Sequence, residues 1–311
     1  MFITVLLLLL GFIILIKGAD FLVDGASSLA KKLSVSEMAI GLTIVAFGTS
    51  APELIVNVFA SLGGHHEITF GNILGSNIFN ILVVLGTAGI FSTISVHRAT
   101  VLKEIPFLLI ATLLVFGLAV WNFDLALFDS IVLLLFLIIF FIYVIFFLKA
   151  NPLLSPDIKD RNYLMIFIML ISGVIGLFYG GKFVVDNSII IAKHFNVSEK
   201  FIGLTIVALG TSLPELVTSI IAITKGRNDL AIGNVIGSNL FNILLVLGVS
   251  SLITPIAYDL SFNVDFIVLS SVTIILFIAL FLGKEHKLSK SVSVIFVFLY
   301  VIYIIFLFYR Q

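Results

Sequence analysis

Two acidic residues, Glu53 and Glu215, stand in otherwise apolar runs, each behind the same polar break: GTSAPE from Gly48 to Glu53 and GTSLPE from Gly210 to Glu215. A charged side chain at the centre of a bilayer costs about 2.5–3.5 kcal/mol even on lenient insertion scales, so each glutamate needs a counter-charge or a task. No Lys or Arg lies within a helical turn of either along the chain, and a bound cation is the natural counter-charge. A protonated glutamate that fixes helix packing is the plainer alternative, and the duplication argues against it. Pro52 and Pro214 lack an amide N–H and clash with the carbonyl four residues back, while the preceding glycines ease unwinding. Unwound backbone at membrane depth is tolerated where it lines a cavity, which makes the carbonyls around Ala46 and Ala208 candidate oxygen ligands. Thr49 and Thr211 each lie four residues before a glutamate and share its face if the helix resumes promptly. Ser50 and Ser212 add hydroxyls; taken alone, Thr and Ser at a proline kink more ordinarily bond the backbone.

A second repeated stretch supplies amides. Asn72, Ser76 and Asn80 fall at i, i+4 and i+8 on one helical face, and Asn234, Ser238 and Asn242 repeat that face. Asn80 and Asn242 each lie 27 residues after their glutamate and are the candidate amide ligands. Asn72, Asn77, Asn234 and Asn239 read instead as interhelical glue. The resulting donor set is oxygen alone, without histidine or sulfur, and suits Ca2+, which takes about 6–8 oxygens in flexible geometry, or Na+. Two carboxylates balance one Ca2+ and could equally accept Na+ or protons. That exchange of counter-charge is the chemical core of an antiporter, and it needs no cofactor.

The elements that must hold these residues are membrane helices. The chain has 311 residues, 61% hydrophobic and 11% charged, with a mean hydropathy of +1.29, beyond the range of water-soluble domains. Apolar stretches predict an all-α polytopic membrane protein with ten spans at roughly 2–24, 37–62, 68–93, 104–122, 126–148, 163–186, 199–223, 229–253, 264–283 and 291–309. Residues 1–16 read as the start of the first span rather than a cleaved signal, since no basic residue precedes them. Seventeen basic and seventeen acidic residues cancel, giving no reason to expect nucleic acid, and the absence of cysteine excludes thiolate chemistry.

A single offset of 162 residues aligns the halves. Gly41–Asn57 matches Gly203–Ser219 at 12 of 17 positions, and Gly71–Gly86 matches Gly233–Gly248 at 12 of 16. The expected organisation is a five-helix repeat at 1–148, a polar connector at 149–162, and a second repeat at 163–311. Because five is odd, the second copy enters from the opposite face, an inverted repeat suited to alternating access. Twelve basic residues fall in connectors on one side, including Lys31, Lys32, Arg98, Lys103 and Lys225, against Lys193, Lys200 and Arg310 on the other. The positive-inside rule then places both termini outside the cell membrane and the central connector in the cytoplasm.

The duplicated GTSxPE and GSNxFN motifs resemble the α-repeats of the Ca2+/cation antiporter superfamily, in particular its sodium/calcium exchanger branch with prokaryotic relatives; proton-coupled members typically carry a GNxxE version. The resemblance implies that Thr49, Ser50, Glu53, Ser76, Asn80, Thr211, Ser212, Glu215 and Ser238, with the carbonyls of Ala46 and Ala208, line adjoining Na+ and Ca2+ sites. It also implies that spans 1 and 6 slide as a pair across a more rigid core of eight helices; their polar residues Lys17 with Asp20 and Lys182 with Asp186 read as pairs at helix ends or, more plainly, as side chains snorkelling to the interface. One position departs: Asn242 is commonly aspartate in sodium/calcium exchangers. The expected function is therefore Ca2+/Na+ antiport by a monomer in the bilayer, with Ca2+/H+ antiport as the alternative and a membrane-embedded carboxyl-dyad enzyme as a remote one.

Overall fold

A computed structural model describes residues 2–148, 158–159, 161–195, 208–283 and 286–310, which are overwhelmingly helical. The helices are α1 (Phe2–Leu33), α2 (Glu37–Thr49), α3 (Ala51–Leu62), α4 (His66–Phe91), α5 (Arg98–Asn122), α6 (Leu127–Phe147), α7 (Tyr163–His194), α8 (Ala208–Thr211), α9 (Leu213–Thr224), α10 (Asn228–Ile253), α11 (Leu260–Leu282) and α12 (Lys290–Arg310). Among the described residues eight helices are long and apolar enough to cross a membrane, or nine if the bent pair α2–α3 forms one span. The expected span at 199–223 lies partly outside the described residues and is represented by α8 and α9. Most of the 149–162 connector lies outside them as well.

Polarity sorts the helices. The apolar windows of α4 and α10 are each 78% buried, against 22% for α1 and 17% for α12. The two helices rich in asparagine and serine thus sit at the centre of the bundle, where their polar groups find partners. α1 crosses α7 in backbone contact: a Cβ added at Gly18 would lie 2.7 Å from the amide nitrogen of Leu177, and one at Gly180 would lie 2.5 Å from that of Leu15. Small residues permit this approach, as between membrane helices generally.

Among the described residues three π-helical turns interrupt the central elements, at Gly41–Val45 in α2, Asn80–Val84 in α4 and Phe241–Val246 in α10. Each inserts a residue into the regular ladder beside a motif, a local feature often found at functional sites. Among the described residues two short antiparallel strand pairs join connectors of different halves. β1 (Ile94–Ser95) pairs β4 (Lys287–Leu288), and β2 (Asp124–Leu125) pairs β3 (Ile256–Ala257). Each pair ties two connectors expected on the same side of the membrane.

Helix ends differ from expectation. α1 continues nine residues past the expected end at residue 24, and Lys31 and Lys32 occupy its last turn rather than a connector. Nothing in the chain between Asp24 and Leu33 breaks a helix, so it continues beyond the apolar stretch. Asp20 pairs with Lys225 at 2.6 Å rather than with Lys17, and Lys225 also holds Asp24 at 2.5 Å. Lys182 and Asp186 do pair, at 2.8 Å on an exposed face.

Candidate cation site

The chain break is one residue long. Ser50 (φ −84°, ψ 4°) separates α2 from α3, which bend by 49°, and Ser212 (φ −90°, ψ 5°) separates α8 from α9 in the same way. Pro52 and Pro214 fall in the first turn of the new helix, where a missing N–H leaves no bond unmade. The break therefore precedes the proline instead of being forced four residues behind it. Glu53 and Glu215 also fall in that first turn, so each carboxylate faces the positive end of its helix.

Both glutamates are fully buried. Each is held from the other half of the chain: Ser50 Oγ donates to Glu215 Oε1 at 3.0 Å, and Ser212 Oγ donates to Glu53 Oε1 at 3.3 Å. Ser238 Oγ adds a second bond to Glu215 Oε1 at 3.3 Å. Thr49 Oγ1 donates to Asn234 Oδ1 at 3.1 Å and lies 3.2 Å from Ser238 Oγ, while Thr211 Oγ1 donates to Asn72 Oδ1 at 3.5 Å. The Ala46 carbonyl accepts from Ser50 N at 2.9 Å and Thr49 Oγ1 at 3.3 Å, so it has not been freed by the break. Ala208 lies in α8 at the corresponding place in the repeat.

The amides meet across the molecule as well. Asn80 Nδ2 donates to Asn239 Oδ1, and Asn242 Nδ2 donates to Asn77 Oδ1, both at 3.0 Å. What these bonds leave over is informative. Glu53 Oε2, Glu215 Oε2, Asn80 Oδ1, Asn242 Oδ1 and Ser76 Oγ are buried without a hydrogen-bond partner. Buried polar atoms normally find partners, and each one left unpaired costs about 1–3 kcal/mol. Here five oxygens belonging to the predicted residues share that condition. Among the described residues no group of three or more His, Cys, Asp and Glu gathers as a metal cluster, so the chemistry is that of two carboxylates supplemented by neutral oxygens. Such a set matches hard cations of the Ca2+ and Na+ kind.

A family model described as "Sodium/calcium exchanger protein" matches residues 3–148 and 165–309, nearly the whole chain. The chain belongs to the sodium/calcium exchanger protein family. It is 32% identical over 346 aligned residues to the sodium/calcium exchanger MaX1 of Methanosarcina acetivorans, covering 98% of each chain. It is 36% identical over 286 residues to the inner membrane protein YrbG of Escherichia coli, covering 88% of each. A solved structure of the sodium-calcium exchanger NCX_Mj, soaked with zero Na+ and Ca2+, superposes with a TM-score of 0.83 at 33% identity, covering 98% of both chains.

Within this exchanger-family fold, all the described candidate side chains cluster around the two breaks and the two central helices. Sequence patterns understated the asparagines: Asn72 and Asn234 receive the threonine hydroxyls, and Asn77 and Asn239 hold the candidate ligands. Among the described residues three further acidic side chains, Glu104, Asp129 and Asp265, are buried near the starts of α5, α6 and α11. Their roles are structural: Glu104 accepts from Tyr143, Asp129 caps the Ala126 amide at 2.9 Å, and Asp265 accepts from Tyr303 and Arg310 at 2.8 Å each. An acidic residue near the start of an apolar helix was the available signal.

Proposed function

We propose that this protein exchanges Ca2+ for Na+ across the cell membrane by alternating access, with both ions competing for one site between Glu53 and Glu215. The observation that carries this reading is a pair of fully buried glutamates, each held by a serine of the opposite half, with one oxygen of each and three further oxygens of the candidate residues buried without a partner. A Ca2+ ion would satisfy those oxygens and neutralise both carboxylates, and Na+ ions would do the same with a different count. Membership of a family of exchangers removes the enzyme reading. Ca2+/H+ exchange has no observation in its favour beyond the carboxylates themselves.

The remaining architecture follows from the same reading. Ten spans form two inverted five-helix repeats, residues 1–148 and 163–311, joined by a cytoplasmic connector at 149–162, with both termini outside and the monomer as the working unit in the bilayer. Reciprocal bonds between residues 162 apart support it, as do strand pairs joining like-sided connectors. α1 and α7, touching through glycines with much of their surface outward, suit a sliding pair that opens the site alternately to each face. Ala46, Thr49, Ser50, Glu53, Ser76, Asn80 and their mates Ala208, Thr211, Ser212, Glu215, Ser238 and Asn242 line the site, Ala46 by a carbonyl that must share its existing bonds. Equilibrium Ca2+ binding to the purified protein, titrated with Na+, tests the shared site: displacement must be competitive, and Ca2+ binding indifferent to Na+ would refute it.

A further inference from the structure

Four asparagines between α4 and α10 form a network whose polarity is fixed by two main-chain carbonyls. Asn77 Nδ2 donates to the Asn239 carbonyl and Asn239 Nδ2 donates to the Asn77 carbonyl, each at 3.2 Å. A carbonyl can only accept, so both amides must present their NH2 groups there. Their Oδ1 atoms are then committed to the far side, where they meet Asn242 and Asn80 at 3.0 Å. Those partners face an acceptor and must in turn present NH2. The last free atoms in the chain of bonds are Asn80 Oδ1 and Asn242 Oδ1, both buried and without a partner.

We infer that Asn77 and Asn239 are positioning residues that lock the amides of Asn242 and Asn80 with oxygen towards the cation and NH2 away from it. This rests on the proposed ligand role of Asn80 and Asn242 and extends it to two residues that touch no ion. A free amide turns over at little cost, and the wrong face would set a donor against a positive ion. The lock crosses between halves: Asn77 of α4 orients Asn242 of α10, and Asn239 of α10 orients Asn80 of α4. It also accounts for a neutral side chain at 242. An ionised carboxylate there would place oxygen against Asn77 Oδ1, whereas an amide supplies the donor that oxygen requires.

The crossed pattern gives a test that a packing role would not pass. Ca2+ affinity is measured by calorimetry on the purified full chain for N77L, N239L, N80A and N242A and for the four double variants pairing one of the first two with one of the last. N77L and N239L are each expected to weaken Ca2+ by about tenfold, the weight of one hydrogen bond. In double-mutant cycles, Asn77 should couple to Asn242 and Asn239 to Asn80, while Asn77 with Asn80 and Asn239 with Asn242, neighbours on one helix, should be additive. Equal coupling along each helix, or affinities within twofold of wild type for N77L and N239L, would overturn the lock alone. Wild-type affinity in both N80A and N242A would instead overturn the ligand reading beneath it. Should N77L fail to fold, the N239L cycle asks the same question through Asn80, and N77S and N239S repeat it with smaller side chains.

Discussion

Glu215→Gln removes one charge while keeping the shape of the side chain. The bonds from Ser50 Oγ and Ser238 Oγ to Oε1 can persist on the amide oxygen, so the change concentrates at Oε2, the unpartnered atom. With charge centres about 3 Å apart and an effective dielectric constant of about 20, one carboxylate attracts Ca2+ by about 11 kcal/mol before desolvation is subtracted. Removing one partner of a buried charge pair costs about 3–5 kcal/mol once desolvation is included. Ca2+ affinity should therefore fall by roughly two to four powers of ten. Na+ carries half the charge and should lose less, so the preference for Ca2+ over Na+ narrows. The ion-free protein, relieved of one buried charge, should melt at a higher temperature than wild type, while the upward shift on adding Ca2+ should vanish. Calorimetric titration with Ca2+ and Na+, paired with thermal melts, reads all of these. Ca2+ affinity within tenfold of wild type, in a protein whose melting remains cooperative, would refute the reasoning that Glu215 bears the counter-charge.

Ser50→Ala and Ser212→Ala each delete a hydrogen bond to the glutamate of the other half and should weaken Ca2+ by about tenfold or more, since bonds to charged groups are worth about 1.5–3 kcal/mol; calorimetry of both variants checks that the two effects are alike. Gly18→Ala places a methyl group 2.7 Å from the Leu177 amide nitrogen, so α1 and α7 must part; a loss of about 1–3 kcal/mol is expected, read in denaturant or heat melts of the purified protein. Lys225→Met releases Asp20 and Asp24 of α1 from the end of α9. These partners are about one-third exposed, so the cost should stay near 1 kcal/mol and shrink as salt is raised, which melts at low and high ionic strength would show.

Much of the candidate site could be proposed from residue types because the duplication supplies its own alignment. Glu53 and Glu215 stand out by the cost of a charge in apolar sequence, and the offset of 162 makes each the check on the other. The breaks were legible as well, although their cause was not: the unwound residues are Ser50 and Ser212, with the prolines already in the next helix. The π-turns at Gly41, Asn80 and Phe241 leave no mark in composition, because a shifted hydrogen-bond ladder uses the same residues as a regular one. The roles of Asn77 and Asn239 depend on which carbonyl lies opposite across the two halves, information that no spacing along one helix contains. Likewise the extension of α1 to Leu33 escapes a hydropathy reading, since a helix that leaves the membrane keeps its backbone bonds while its side chains turn polar.

The central claim is tested most directly by radiolabelled Ca2+ uptake into liposomes containing the purified protein, with a Na+ gradient imposed in one arm and a pH gradient in the other. Uptake that requires Na+ on the trans side, is indifferent to the pH gradient, and disappears in both Glu53→Gln and Glu215→Gln is the predicted result. Uptake that proceeds equally without a counter-ion gradient, or persists at the wild-type rate in either variant, would contradict it.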